Sequence, residues 1–338
     1  MRYVALANGF GIENLTIRSG SKPTPKVDEV LVRMRAAALN FVDLATIKGR
    51  LDPKLTLPFV PVADGSGSIE EVGSAVHDFK PGDRVATLYI PSWASGRYKH
   101  EHIDLSNRPG AGSVAGQLAE YKIFRPNELI RIPESISLTE AATLPIAGLT
   151  AWNALAYGAI KAGNTVLLHG TGGVSIFALQ FAKAQGAKVI ITSGDDAKLE
   201  RASRLGADEA INYRTHPDIG EEVSRLTDGR GVDLVVETIG GRNVARSMIA
   251  VRPEGSISIV GFLDGVEAPI DLISLNLRRL SVRGISVGST DDFRDMLAAI
   301  AANRIKPVVD AEFDLEKTKD AFRYLEAGKH FGKVVITF

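Results

Sequence analysis

The segment Thr165–Gly186 constrains this chain more than any other. It runs Thr-Val-Leu-Leu-His-Gly-Thr-Gly-Gly-Val-Ser-Ile-Phe-Ala-Leu-Gln-Phe-Ala-Lys-Ala-Gln-Gly: a short apolar run, a glycine turn, then a helical stretch. Val166, Leu167 and Leu168 suit a strand covered on both faces, which needs no polar alternation. Gly170, Gly172 and Gly173 permit a tight turn and let an anion approach the backbone closely. A helix starting near Val174 aims its unpaired N–H groups and positive dipole end at that anion. Ser175 replaces the third glycine of G-x-G-x-x-G. The pattern predicts a dinucleotide site at Gly170, Thr171, Gly172, Gly173 and Val174.

A glycine triplet alone is weak evidence, so the flanking pattern matters. Strands are expected at Lys188–Ser193, Asp233–Thr238, Ser256–Gly261 and Val282–Gly288, with helical stretches between them. This alternation predicts an α/β fold with a doubly wound parallel sheet. The competing reading is a flavodoxin-like open sheet whose glycine turn serves only chain reversal.

The preceding part of the chain has a different character. Short strands separated by turns are expected at Tyr3–Leu6, Leu15–Arg18, Val30–Ala36, Gly67–Val72, Arg84–Tyr89 and Ala119–Phe124. They predict a β-rich, partly barrel-like domain. Residues 90–117 form a long excursion rich in Gly and Pro, the kind of segment that lines a cleft, covers a contact or simply runs over the surface. Its His100-Glu101-His102 lacks a third ligand nearby and is expected in a solvated loop. After Gly288, helices near Phe293–Ala302 and Leu315–Ala327 precede a last strand at Gly332–Phe338.

Composition narrows function further. Of 338 residues, 45 % are hydrophobic, which supports two ordinary domains without covalent staples. Lys+Arg and Asp+Glu are both 40, so there is no basic stripe for nucleic acid. No cysteine is present, which excludes disulfides, thiolate zinc sites and a cysteine nucleophile. No apolar run is long enough to span a membrane, and no leader peptide is evident at Met1. A cytoplasmic location and a small-molecule substrate are the expectations.

Several motifs, in order, resemble the medium-chain dehydrogenase/reductase superfamily. They are Ala38-Leu-Asn-Phe-Val-Asp43, Asp64-Gly-Ser-Gly-Ser-Ile-Glu-Glu-Val-Gly73, Phe79-Lys-Pro-Gly-Asp-Arg-Val85, Ala141-Ala-Thr-Leu-Pro145, Gly148-Leu-Thr-Ala-Trp152, Gly170-Thr-Gly-Gly-Val174, Leu205-Gly-Ala-Asp208 and Phe331-Gly-Lys-Val-Val335. Within it the chain is similar to a zinc-free quinone oxidoreductase-like or alcohol dehydrogenase-like branch. The resemblance implies a GroES-like catalytic domain, 1–126 with 289–338, and an inserted Rossmann domain, 127–288, with a cleft between them. It also implies that Asn40, Ala63, Asp64 and Ile146 stand where zinc alcohol dehydrogenases keep metal-site residues, so no metal is expected.

The cofactor expectation is NADP(H) rather than NAD(H). An acidic residue usually ends the second strand in NAD-binding turns; here Ser193 stands there, able to donate to a 2′-phosphate. Lys198 adds charge, and Tyr213 matches a tyrosine near the adenosine end in similar quinone reductases. Asp195 and Asp196 weigh on the other side. Gly240 and Phe262 lie after the fourth and fifth strands, and Val287 and Ser289 offer groups to the nicotinamide end. The catalytic candidates are Asn40 as an amide donor, Asp43 as an orienting or structural carboxylate, and Thr150. Phe41, Tyr89 and Trp93 are candidates for an apolar wall, or for core packing. The activity expected is NADPH-dependent hydride transfer to a quinone or an α,β-unsaturated carbonyl. Alternatives are oxidation of a secondary alcohol and a non-catalytic nucleotide sensor. A homodimer joined through the strand around Val282–Val287 is implied by the resemblance.

Overall fold

Ten consecutive residues, Val30–Leu39, form the longest strand in the computed structural model, which describes residues 1–338. One edge of this strand pairs antiparallel with Asp64–Val72. Its other edge is shared: Val30–Arg33 pair with Tyr121–Phe124, and Ala36–Leu39 pair with strand Lys333–Thr337. Arg84–Thr87 and Leu129–Arg131 extend the sheet on one side, and Val309–Asp314 on the other. The end strands do not pair with each other, so the seven-stranded sheet stays open. The sheet is therefore the β-rich domain expected, without full barrel closure.

Side chains alternate along the long strand as a pleat requires. Val30, Val32 and Met34 pack with Ile69, Val85 and Phe124, while Ala37 and Leu39 join a second core with Leu6, Ile47 and Phe322. Arg33 and Arg35 point to solvent. The first unit comprises 1–149 with 288–338, and the second 150–287. The chain therefore stays in the first unit beyond residue 126, because Leu129–Arg131 is hydrogen-bonded into its sheet. A three-residue strand is too short to reveal a period in sequence.

The second unit carries six parallel strands: β1 (Thr165–Leu168), β2 (Lys188–Ser193), β3 (Glu209–Asn212), β4 (Val232–Glu237), β5 (Val251–Ile259) and β6 (Ser281–Gly284). Their order is β3-β2-β1-β4-β5-β6. This is the Rossmann order, not the flavodoxin-like one, and its reversal lies between β1 and β4. Strand β3 is hard to find in sequence because two of its four side chains, Glu209 and Ala210, are exposed. Strand β6 stops at Gly284, before the expected Gly288, and Val287 turns to φ 57°. A β-branched residue there is a backbone outlier.

Candidate active site

In the first unit, a short helix, Phe41–Ile47, starts at Asn40. Asn40 donates its backbone N–H to Asp43 Oδ2 at 2.7 Å, and Asp43 Oδ1 accepts from Ala63 N at 2.9 Å. Asn40 Nδ2 donates to Asp64 Oδ2 at 2.9 Å and to the Ala38 carbonyl at 3.3 Å. Its Oδ1 accepts from Lys333 Nζ at 2.6 Å, and Lys333 also donates to the Leu39 carbonyl at 2.6 Å. Asp43, Asp64 and Lys333 are all buried. Both amide protons of Asn40 are thus engaged within the protein, and none is left for a substrate oxygen. Asp64 Oδ2 also accepts from Ile146 N at 3.2 Å, while its Oδ1 is buried without a partner.

Burial dominates the protonation of this group. It pushes Asp43 up to about 6 and Asp64 up to about 7 despite the nearby ammonium, and pulls Lys333 below the ordinary lysine value. Lys333 is the residue that sequence reasoning misses. It lies within the Phe331-Gly-Lys-Val-Val335 motif, but nothing local ties it to Asn40.

The segment leading into Asp64 is held tightly. Val62 has φ 75°, and Gly110 and Gly116 of the excursion sit flush against it. A Cβ on Gly110 would come 2.4 Å from the Val62 carbonyl carbon, and one on Gly116 would come 2.2 Å from the Pro61 oxygen. Gln117 N donates to the Val62 carbonyl at 2.7 Å. Within the excursion, the rings of Trp93, Tyr98 and His102 pack together at 4.9–5.8 Å between centroids. His102 is buried in this stack, with Nδ1 3.2 Å from Ser92 Oγ, which corrects the solvated-loop expectation for it. Tyr89 is buried beneath the Arg108 guanidinium, Trp93 is half-buried, and Phe41 is exposed.

In the second unit the helix after the glycine turn begins at Gly173, with Gly172 as its N-cap. Gly170 takes φ 73° and donates its N–H to Thr192 Oγ1 at 3.2 Å. The Ser175 hydroxyl donates to the His169 carbonyl at 2.7 Å and so closes the turn. Thr238 Oγ1 donates to the same carbonyl at 2.8 Å, tying the loop after β4 to the turn. Glu237, wholly buried at the end of β4, organises that loop. Its Oε1 accepts from Ile239 N at 2.7 Å and Gly240 N at 3.0 Å; its Oε2 accepts from Asn243 Nδ2 at 2.8 Å and from Ser247 Oγ. Ser247 gives its one proton to Glu237, so at 3.0 Å it accepts from His169 Nε2–H. Burial holds His169 below the ordinary histidine value. This Ser–His–Glu trio is sealed and wired as a brace, not as a nucleophile and its base.

Ser193 is buried at the end of β2, where its Oγ accepts from Asp195 N at 3.2 Å. Tyr213 is half-exposed and its ring lies over Gly194, where a Cβ would meet it at 2.7 Å. Asp195 Oδ1 caps the next helix, accepting from Ala197 N at 2.9 Å and from Lys198 N at 3.3 Å. Phe262 is half-exposed beside Gly240, and Thr150 is buried near the start of helix Leu149–Tyr157. Ser289, in the first unit, caps helix Thr290–Asn303 through Asp292 N at 3.1 Å.

The open side of Gly170, where a Cβ would meet no atom within 4 Å, together with the helix start at Gly173, fits a nucleotide diphosphate. Zinc does not fit. No group of three or more His, Cys, Asp or Glu side chains could hold a metal, and the ammonium of Lys333 sits among Asn40, Asp43 and Asp64.

Residues 26–134 match the alcohol dehydrogenase GroES-like domain family, and residues 173–302 match the zinc-binding dehydrogenase family. A zinc-type alcohol dehydrogenase-like protein of Schizosaccharomyces pombe is 40 % identical over 99 % of both chains. The chain is a medium-chain dehydrogenase/reductase. A solved NAD-dependent alcohol dehydrogenase is 35 % identical, with a TM-score of 0.89 and 100 % of both chains covered. Escherichia coli quinone oxidoreductase, solved with NADPH, is 26 % identical over 100 % of both chains, with a TM-score of 0.84. Like these dehydrogenase/reductases, the protein is an NAD(P)H-dependent oxidoreductase of GroES-like and Rossmann architecture. No helix is long and apolar enough to cross a membrane.

Proposed function

We propose that this dehydrogenase/reductase works without zinc and uses NADPH to reduce a quinone or an α,β-unsaturated carbonyl. The observation that carries the metal-free reading is the donor set: the resemblance puts Asn40, Ala63, Asp64 and Ile146 at the metal positions, with no Cys or His among them, and the buried Lys333 ammonium donates to Asn40 Oδ1. A divalent ion at Asn40 would be repelled by that ammonium.

When bound, the nicotinamide ring supplies hydride; the protein's part is placement and electrostatics. The main-chain turn 170–174 and the helix start at Gly173 would hold the diphosphate, and Gly240, Phe262, Val287 and Ser289 would border the nicotinamide end. Ser193, Lys198 and Tyr213 would receive a 2′-phosphate. The serine at the end of β2, where NAD-binding turns carry a carboxylate, supports that choice. Thr150 positions the ring end. Asn40 and Asp43 hold Lys333 and Asp64 in place, and the ammonium offers positive potential to an acceptor oxygen gaining charge. Phe41, Tyr89 and Trp93 wall the acceptor. The unpaired edge of β6 and the exposed Val266, Leu272, Ile273 and Leu277 support a homodimer joined there.

The test is oxidation of NADPH and of NADH with 9,10-phenanthrenequinone, a benzoquinone and an enone, with metal analysis of the same sample. Turnover with NADPH and no stoichiometric zinc is expected. Alcohol-dependent reduction of NAD(P)+ with bound zinc would overturn it and favour the secondary-alcohol reading, which the alcohol dehydrogenase relatives keep in view.

A further inference from the structure

Arg108 is a buried cation that no carboxylate neutralises. It is 3 % exposed, and its Nη2 donates to the His102 carbonyl and, at 3.3 Å, to Tyr98 Oη. Its Nη1 has no acceptor at all. Asp104, which feels its charge, is exposed and spends its carboxylate on Ser106 N at 2.8 Å and Asn107 Nδ2 at 2.9 Å. A guanidinium removed from water without a counter-ion is expensive, and a bare buried N–H adds to that cost. Buried polar groups left open in this way call for an occupant.

The surroundings indicate which kind. The guanidinium lies 5.1 Å over the Tyr89 ring, and Trp93, Tyr98 and His102 stack beside it. Tyr89 and Trp93 are also two of the three side chains proposed above to wall the acceptor, which puts the guanidinium at that wall. Flat apolar faces next to a planar N–H fork suit a conjugated or aromatic carboxylate, which a guanidinium grips with two parallel bonds.

We propose that Arg108 is the anchor for a carboxylate on the acceptor, so that the preferred acceptor is an anionic conjugated carbonyl compound. This rests on the reductase reading above. Nη1 is closed to solvent, and the incoming carboxylate takes the fork by displacing the Tyr98 hydroxyl, the longer of the two bonds Arg108 makes. The Trp93 segment that lines this corner is itself fixed, since Thr290 N and Asp291 N donate to the Trp93 and Ala94 carbonyls at 2.9 and 3.0 Å.

The experiment compares 4-phenylbut-3-en-2-one with its 4-carboxyphenyl derivative under NADPH, in the wild type, Arg108→Met and Arg108→Lys. The wild type is expected to favour the carboxylate by about tenfold or more in kcat/KM, the value of a charge-assisted fork. Arg108→Met should lose that preference with the neutral enone little changed, and Arg108→Lys should keep part of it. Equal rates for the two acceptors in the wild type overturn the proposal, as does an equal loss for both in the variants. A rise in the NADPH KM alone also overturns it, by assigning the guanidinium to a cofactor phosphate. If neither enone is reduced, the reductase reading fails separately, and benzoate calorimetry on the wild type and Arg108→Lys decides the anchor. Benzoate binding weakened by the lysine supports it; no binding to the wild type ends it.

Discussion

Lys333 Nζ stands 2.6 Å from Asn40 Oδ1, and this contact decides which way the Asn40 amide faces. With its oxygen claimed by the ammonium, the amide nitrogen must turn to Asp64 and the Ala38 carbonyl. Replacing Lys333 by Met strands two buried carboxyls without their cation. Loss of one partner from such a group costs roughly 3–5 kcal/mol. Urea unfolding should show that loss in Lys333→Met, and NADPH-dependent activity should fall in the fraction that remains folded.

Asp43 and Asp64 make stability fall as pH rises. Their folded values, about 6 and about 7, lie above those of an unfolded carboxyl, so the folded state holds more protons. The stability gained is complete below about pH 4 and is lost as pH climbs through those two values. Urea midpoints measured between about pH 5 and pH 8 should decline, and less steeply in Asp64→Asn. A slope identical in the two proteins would refute the assignment.

The proposed preference for NADPH is tested at Ser193. A carboxylate in its place repels a 2′-phosphate and accepts from a ribose hydroxyl. Ser193→Asp should move the NADPH:NADH ratio of kcat/KM towards NADH by about tenfold or more. A ratio that does not move would place the phosphate elsewhere.

Gly116 is a site of close backbone approach. An added methyl would meet the Pro61 oxygen at 2.2 Å, so Gly116→Ala should cost about 1–3 kcal/mol of stability. Gly284 has no atom within 4 Å of its virtual Cβ, and Gly284→Ala should be close to neutral. Paired thermal melts measure the contrast.

Sequence and structure agree where the signal is local. The glycine turn, the apolar β1 and β4 and the polar end of β2 at Ser193 are legible from a few adjacent residues each. Short elements are not: Glu209–Asn212 is half-exposed and Val309–Asp314 has one side to solvent, so neither shows an uninterrupted apolar run. Asn40 is legible as a candidate, but its engagement is not, because the lysine that fixes it is 293 residues away. Ser175 reads in sequence only as a small polar substitute, since the carbonyl it binds comes within reach only once the turn is folded. His102 reads as solvated because the stack that buries it depends on how the excursion folds back.

The strand Val30–Leu39 recruits its neighbours from residues 121–124 and from 333–337. The second of these leaves the ribosome long after the strand it joins. The first unit therefore cannot finish its sheet until well after residues 150–287, which hold all six of their own strands, have been made. A chain truncated just before Lys333 would keep its nucleotide turn and lose the cation at its proposed reactive centre.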